Sequence, residues 1–434
     1  MGSFVRRVPC SGLQVPITVF ALLAAGKKQG GLGQSESYQA ILDLGNADRD
    51  DGDMRICHVI TRLILGGAQE NTTLTCEGLS ARGHDVTLVT GPALGPEGEL
   101  MTRARGGAYR LIVLESLRRE IRPWRDLGAY RDIVSVLREI HPDVMHSHSS
   151  KAGILARRAA AKVGGMRIVH TIHGLPFHPY QPRWRNWLYT ALERSAAARS
   201  DAIISVADAM TAAALSAGVG RAGQFTTIYS GMEVAPFLAA GSGGAAFRRE
   251  LKLPGDAVLV TKVARLAEMK GHEFLLEAAA GIDNPRVHFC LVGDGRLRGR
   301  IEAEIARWGL AERFHLTGLL SPGRIPAVLA ATDILAHCSL REGLARALPQ
   351  AMLAGKPVVS FDIDGAREVV DSDTGVLLPP GDVAGLRLAI ETLASCPPLR
   401  QRLGAAGREK CRALFDHNRM VDRIEELYRR LLGA

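Results

Sequence analysis

From Arg55 onward the chain alternates short apolar runs with longer stretches in which apolar positions recur every three or four residues. The runs "RICHVI" (55–60), "DVTLVT" (85–90), "DVMHSH" (143–148), "RIVHTI" (167–172), "AIISV" (202–206) and "FTTIY" (225–229) predict strands, with helices between them such as "AQENTTLTCEGLSARG" (68–83) and "GILARRAAAKVG" (153–164). Near-continuous apolarity suits strands covered on both faces, and helices at this spacing describe βαβ units in a parallel sheet. A second series repeats the pattern in "AVLVTKVA" (257–264), "VHFCLVG" (287–293), "FHLTG" (314–318), "ILAHC" (334–338), "VVSFD" (358–362) and "GVLLP" (375–379). The Ala- and Gly-rich stretch "MEVAPFLAAGSGGAAFRRE" (232–250) reads as the linker between the two series.

This pattern predicts an α/β protein of two doubly wound domains, 54–235 and 236–415. Ligands bind beyond the carboxyl ends of such sheets, so two that face each other make a cleft between them. A closing helix within 416–434 places Met420, Val421, Ile424, Leu427, Tyr428 and Leu431 on one face and is expected to pack back on the first domain. Residues 1–53 read differently: a short apolar patch, then "GKKQGGLGQSE", then the acidic "DLGNADRDDGD". They are expected to form a poorly ordered extension or translated upstream region, with Met54 a candidate start. The patch "VPITVFALLAAG" (15–26) is too short to span a bilayer and lacks a secretory cleavage pattern, and no longer apolar run occurs, so no transmembrane helix is expected.

Composition adds three constraints. At 434 residues and 47% hydrophobic the chain can fill two or three cores, and with aromatics at 5% those cores rest on Ala, Leu, Val and Ile. The formal charge of +9 suits nucleic acid, an anionic membrane, phosphate-bearing substrates or an inert basic surface. Without a zinc-finger, RNA-recognition or helix-turn-helix pattern, nucleic acid is not expected. Seven widely spaced cysteines form no CxxC or Cys/His cluster, which fits reduced thiols in the cytoplasm.

Candidate chemistry collects in loops at strand ends. In "TRLILGGAQE" (61–70), Gly66 and Gly67 either let backbone N–H groups approach an anion or form a plain turn, and their spacing is not the Rossmann fingerprint. "HSHSSKAG" (146–153) offers His148 to a hydroxyl and Lys151 to a phosphate, unless Ser149 or Ser150 only caps a helix. In "HTIHGLPFHPY" (170–180), His170 reads as structural and His173 as the hydrogen-bonding partner of a reacting group. No acidic residue lies near them in sequence, so a metal site is not expected. "RWRNWLY" (183–189) interleaves Arg with Trp184, Trp187 and Tyr189, which suits a membrane interface, a stacked sugar or a helix–helix contact. In "KVARLAEMKG" (262–271), Arg265 and Lys270 converge on a turn and suit a diphosphate, or are solvated surface charges. Gly293, Asp294 and Gly295 of "LVGDGRLRGRIE" (291–302) leave a strand for a helix and make a second loop of the same kind. "SLREGLARALPQAMLAGKPVVSFDIDG" (339–365) sets Glu342 at the mouth of an apolar helical run and Gln350 inside it. Asp362 and Asp364 suggest a metal pair, but Asp362 ends a strand and no third ligand is near.

Together, "ARLAEMKG", "LVGDGRL", "CSLREGLARALPQAMLAGKPVV", "GAREVV" and "TGVLLPPGD", with "VITRLILGGAQENT", "DVMHSHSSKAG", "HTIHG" and "IYSGME", resemble the retaining glycosyltransferases of family 4, the glycosyl transferases group 1. The resemblance runs from about Met54 to the end and implies the GT-B fold, two Rossmann-like domains facing across a cleft. Arg265 and Lys270 then match the cationic pair on the donor diphosphate. Glu342 matches the first glutamate of a Glu-x7-Glu motif and contacts the donor sugar. Gln350 stands where the second glutamate normally binds the ribose, a departure that keeps hydrogen bonding but loses the charge. His173 matches a histidine near the transferred sugar, and Gly66 and Gly67 a loop near the donor phosphates or the acceptor. Gly293, Asp294 and Gly343 complete the implied donor-binding set, and Glu342, His173, Arg265 and Lys270 the implied catalytic set.

The resemblance further implies a nucleotide-sugar donor, UDP-linked by family habit, held by the second domain, with the acceptor on the first. No cofactor or metal is obligatory, and attack comes from the face that the diphosphate leaves. The implied acceptor is a saccharide or lipid-linked saccharide of surface polysaccharide or other glycan synthesis. The corresponding place is the cytoplasm, with peripheral contact on the anionic inner face of the cell membrane. Rival readings are a GT-B epimerase and a catalytically weak sugar-nucleotide-binding protein, the latter kept open by Gln350.

Overall fold

The computed structural model describes residues 52–94, 100–239 and 241–433, so the expectations for residues 1–51 lie outside the described residues. The first sheet comprises β1 Arg55–Ile60, β2 Asp85–Thr90, β3 Arg110–Val113, β4 Val144–His148, β5 Arg167–Ile172, β6 Ala202–Ser205 and β7 Phe225–Thr227. The second comprises β8 Val258–Val263, β9 Val287–Val292, β10 Phe314–Gly318, β11 Ile334–His337, β12 Val358–Phe361 and β13 Gly375–Leu378. Their orders are β3-β2-β1-β4-β5-β6-β7 and β10-β9-β8-β11-β12-β13, and every pairing is parallel. In each sheet the order reverses beside the first strand, between β1 and β4 and between β8 and β11. Loops leaving those strands diverge to opposite faces and open a crevice at the carboxyl edge. Glycine-bearing and charged loops follow β1, β8 and β11 at just these points.

Helices cover both faces, so central strands are buried along their length; all six residues of β9 are buried. Edge strand β3, "RLIV", has no counterpart in the sequence reading because it is short and half exposed. The Ala- and Gly-rich stretch between the two series holds helices Ala235–Leu238 and Gly241–Glu250, which the sequence reading did not expect. Glycine disfavours a helix, yet tertiary anchoring overrides it here. Phe247 packs against Leu259, Cys290, Val292, Val328 and Ala331, and Arg248 donates to the carbonyls of Ala331 and Ala257 at 2.9 Å each.

The chain crosses between the lobes twice, and the crossings lie side by side. Met232 N donates to Phe415 O at 2.8 Å, and His417 N donates to Met232 O at 3.1 Å. A shared apolar cluster joins the lobes, with Ile172, Val206 and Met210 meeting Leu344, Leu348 and Met352. The last helix, His417–Leu432, returns to the first lobe, where Met420, Val421, Ile424, Leu427 and Tyr428 join a core containing Met54, Ile56 and Leu74. Cys57, Cys76, Cys290, Cys338, Cys396 and Cys411 are all unbonded. Among the described residues no helix is long and apolar enough to cross a membrane.

Candidate active site

The two carboxyl edges face each other across a cleft of about 770 Å³. Gly66, Gly67, Glu70 and His173 line it from the first lobe, and Arg265, Lys270, Gly293, Glu342, Gly343 and Gln350 from the second. Asp294 is not part of this lining. It accepts from its neighbour Gly295 N at 2.7 Å and from Arg298 Nη1 at 3.2 Å, and so shapes its own loop. Lys151 is not part of the lining either; it is ion-paired to Asp126 at 2.5 Å and donates to Glu120 O.

Glu342 is the electrostatic centre of the second lobe. Lys270 Nζ lies 2.5 Å from its Oε1, and His337 Nε2 lies 3.6 Å from the same oxygen. Burial alone would raise the carboxyl, but the Lys270 ammonium and then His337 outweigh it and hold the group well below the ordinary carboxylate range. These neighbours favour the ionised form of Glu342. The sequence places it at the mouth of a helix, whereas the helix Ala347–Leu353 begins five residues later. Glu342 instead sits in the loop after β11, where its N–H donates to Asp364 Oδ2 at 2.6 Å. Asp364 holds a left-handed backbone, φ 45°, to make that bond. The "DIDG" aspartates are thus no metal pair: Asp364 fastens the Glu342 loop, and Asp362 takes Arg367 Nε at 2.9 Å.

The loops of the two lobes approach until only glycine fits. A Cβ on Gly343 would lie 2.0 Å from His173 O. Beside this contact Arg346 reaches from the second lobe to Glu70 of the first, Nη1 to Oε2 at 2.8 Å. His173 lies at this junction, its Nε2 3.1 Å from His148 Nδ1, and burial followed by Arg346 holds it well below the ordinary histidine range. His170 points to the other face of β5, is buried, and meets Ser147 Oγ at 3.0 Å, in keeping with a structural role.

Sequence reasoning did not single out His337, Arg346, Glu70 or His58 as site residues. His337 and Arg346 flank Glu342 in the chain and were reachable from it. Glu70 and His58 gain their partners only through the fold, across 276 and 90 positions (346 − 70 and the printed separation).

Comparison with known proteins agrees with this architecture. Residues 245–410 match the family described as glycosyl transferases group 1, and residues 65–235 match glycosyltransferase family 4. A 2-deoxystreptamine glucosyltransferase of Streptomyces kanamyceticus is 31% identical over 70% of this chain and 82% of its own length. The Escherichia coli UDP-Gal:alpha-D-GlcNAc-diphosphoundecaprenol alpha-1,3-galactosyltransferase is 26% identical over 86% of this chain and 96% of its own. Among solved structures, Anabaena HepE in complex with UDP and glucose superposes with a TM-score of 0.75 at 23% identity, over 86% of this chain and 99% of that one. Sucrose-phosphate synthase from Thermosynechococcus elongatus gives 0.76 at 23%, over 87% and 99%.

Proposed function

This chain belongs to the family 4 glycosyltransferases, with their GT-B fold, and we propose that it moves a hexosyl group from a UDP-linked donor to a saccharide or lipid-linked saccharide acceptor, with retention at the anomeric carbon. The observation that carries this reading is the pairing of Lys270 with Glu342 at 2.5 Å opposite His173 in the cleft. The donor's diphosphate would be gripped by Arg265 and Lys270, which stabilise charge developing as the bond to the sugar breaks. Glu342 would hold hydroxyls of the sugar, and Gln350 those of the ribose. With its proton lost and a cation 2.5 Å away, Glu342 is suited to hold the sugar rather than to donate a proton. Attack on the face vacated by the diphosphate needs no covalent enzyme intermediate, and the leaving phosphate can take the acceptor's proton.

A lipid-linked acceptor is supported by the rim of the first lobe. Helices Pro123–Ile140 and Arg183–Ala197 both begin on the carboxyl side of the first sheet, following β3 and β5. Trp124 there is 85% exposed and Trp187 73%, so neither is held in a helix–helix contact. Arg122, Arg125, Arg183 and Arg185 interleave with them, the combination that an anionic membrane interface favours.

The test is a panel of sugar nucleotides assayed by hydrolysis and thermal shift, repeated with Glu342→Ala and Arg265→Ala. Stabilisation by a UDP sugar, and loss of turnover in both variants, is expected. Silence toward every nucleotide sugar sinks the transferase assignment, and turnover unchanged by either substitution sinks the site. Pelleting with anionic liposomes tests the rim separately: binding that survives Trp124→Ser with Trp187→Ser removes the aromatic part of the argument.

A further inference from the structure

His173 is the cleft end of a row of imidazoles. Its Nε2 lies 3.1 Å from His148 Nδ1, and His148 Nε2 lies 3.0 Å from His58 Nδ1. Strand geometry builds the row. Alternation along β4 puts His146 and His148 on one face, and register sets His58 beside His146 and Thr171 beside His148. His173 follows two residues after Thr171, on the same side. His58 and His148 are fully buried. Burial pushes His58 down to about 3 and His148 well below its ordinary value, so both are neutral and carry one ring proton each.

Three neutral rings joined by two hydrogen bonds allow only two arrangements. In the first, His58 donates from Nδ1 to His148, His148 donates from Nδ1 to His173, and the proton of His173 stands on Nδ1. In the second, every proton sits on Nε2: His173 donates to His148, His148 donates to His58, and the N–H of His58 faces no acceptor. His58 Nε2 is buried without a partner among the described residues. A buried N–H without an acceptor is costlier and rarer than a buried lone pair without a donor, so the first arrangement wins.

We propose that His58 and His148 are positioning residues that fix His173 as its Nδ1–H tautomer, so that it meets oxygen atoms of the sugar nucleotide or acceptor as a hydrogen-bond donor and not as a base. The inference rests on the transferase reading of the cleft and assigns a task within it. It also accounts for a grouping that invites a metal: nitrogens of His58, His146 and His148 lie within 4.8 Å of one another. His58 Nε2 aside, the ring nitrogens of the group already have partners. His146 Nδ1 meets the Tyr428 hydroxyl at 2.5 Å, its Nε2 meets Thr171 Oγ1 at 2.7 Å, and the other two rings bind each other.

The test uses the full chain labelled with 15N-histidine, with His173 identified by the signals lost in His173→Ala. The wild type should show a protonated Nδ1 and a bare Nε2 on His173 between about pH 6 and 9, well above the range in which burial lets it titrate. In His148→Phe this preference should relax to a tautomer mixture. Turnover of the UDP sugar should fall about 10- to 100-fold, the range for loss of a group that orients a functional histidine, while the thermal shift given by UDP alone stays unchanged. His148→Phe combined with His173→Ala should be no slower than His173→Ala alone, because one residue acts through the other. A wild-type His173 protonated on Nε2 overturns the proposal, as do additive losses in the double variant or stoichiometric zinc on the purified protein. If no nucleotide sugar is turned over but His173 keeps its Nδ1 proton, the transferase reading fails and the tautomer assignment survives.

Discussion

Lys270 and Glu342 neutralise each other until a donor arrives, and that mutual hold fixes what their substitution should do. Replacing Glu342 with Gln removes the anion and leaves the ammonium half-buried and unpaired. Turnover should fall about 100-fold, comparable to the loss of one preorganised charge contact. The same pair sets a pH signature. Because the folded carboxyl is held below its unfolded value, its stabilising contribution is complete above the ordinary glutamate value of about 4.3 and is lost as the pH falls toward the depressed folded value. Melting curves should keep a constant gap between wild type and Glu342→Gln from about pH 8 to 5 and narrow below about pH 4; a gap that closes near neutrality would place the carboxyl elsewhere. That Glu342, His173, Arg265 and Lys270 meet at one cleft was legible because each stands beside a strand end in its own short segment. Asp364 was visible and rightly not read as half of a metal pair, but its task stayed hidden because the backbone N–H that it binds belongs to residue 342. Asp294 was expected to bind the donor from the resemblance of its glycine-flanked loop, and the fold adds that its carboxylate also bonds within that loop.

Loops and strands respond to different rules. Gly343 and Gly67 both line the cleft, but their neighbours differ in kind. A methyl group on Gly343 would press on the His173 carbonyl at 2.0 Å, backbone against backbone. On Gly67 it would meet Arg346 Cδ at 2.9 Å, part of a flexible side chain that can move aside. Gly343→Ala should therefore displace the Glu342 loop and cost about 100-fold in kcat/KM. Gly67→Ala should change the melting free energy by no more than about 1 kcal/mol. Equal effects on kcat/KM would mean that the lobes do not meet at this loop. Buried parallel strands announce themselves as apolar runs, which is why both sheets could be read in outline. The edge strand β3 lacks such a run, and the helix Gly241–Glu250 was hidden because its stability comes from Phe247 and Arg248 docking on other segments.

At the scale of the molecule, the Arg346–Glu70 pair spans the lobes beside the cleft and biases them toward closure. A partly exposed ion pair is worth about 1 kcal/mol, so Glu70→Gln should raise the donor KM by about fivefold while leaving kcat nearly unchanged. Small-angle scattering should show a larger radius of gyration in that variant; identical scattering and KM would make the pair incidental. The return of the last helix to the first lobe has a further consequence, for the order of assembly. On the ribosome the first lobe emerges early, yet the segment that covers Ile56 and Leu74 is made only after the second lobe. The nascent lobe must therefore wait, with apolar surface uncovered, while the whole second lobe is synthesised, a period in which chaperone binding or aggregation competes. A chain stopped after residue 415 should bind a hydrophobic dye and lose the cooperative melt of the first lobe, and a separate peptide of residues 417–433 should restore it. A truncated chain that melts like the 434-residue one would show that the early lobe needs no such completion.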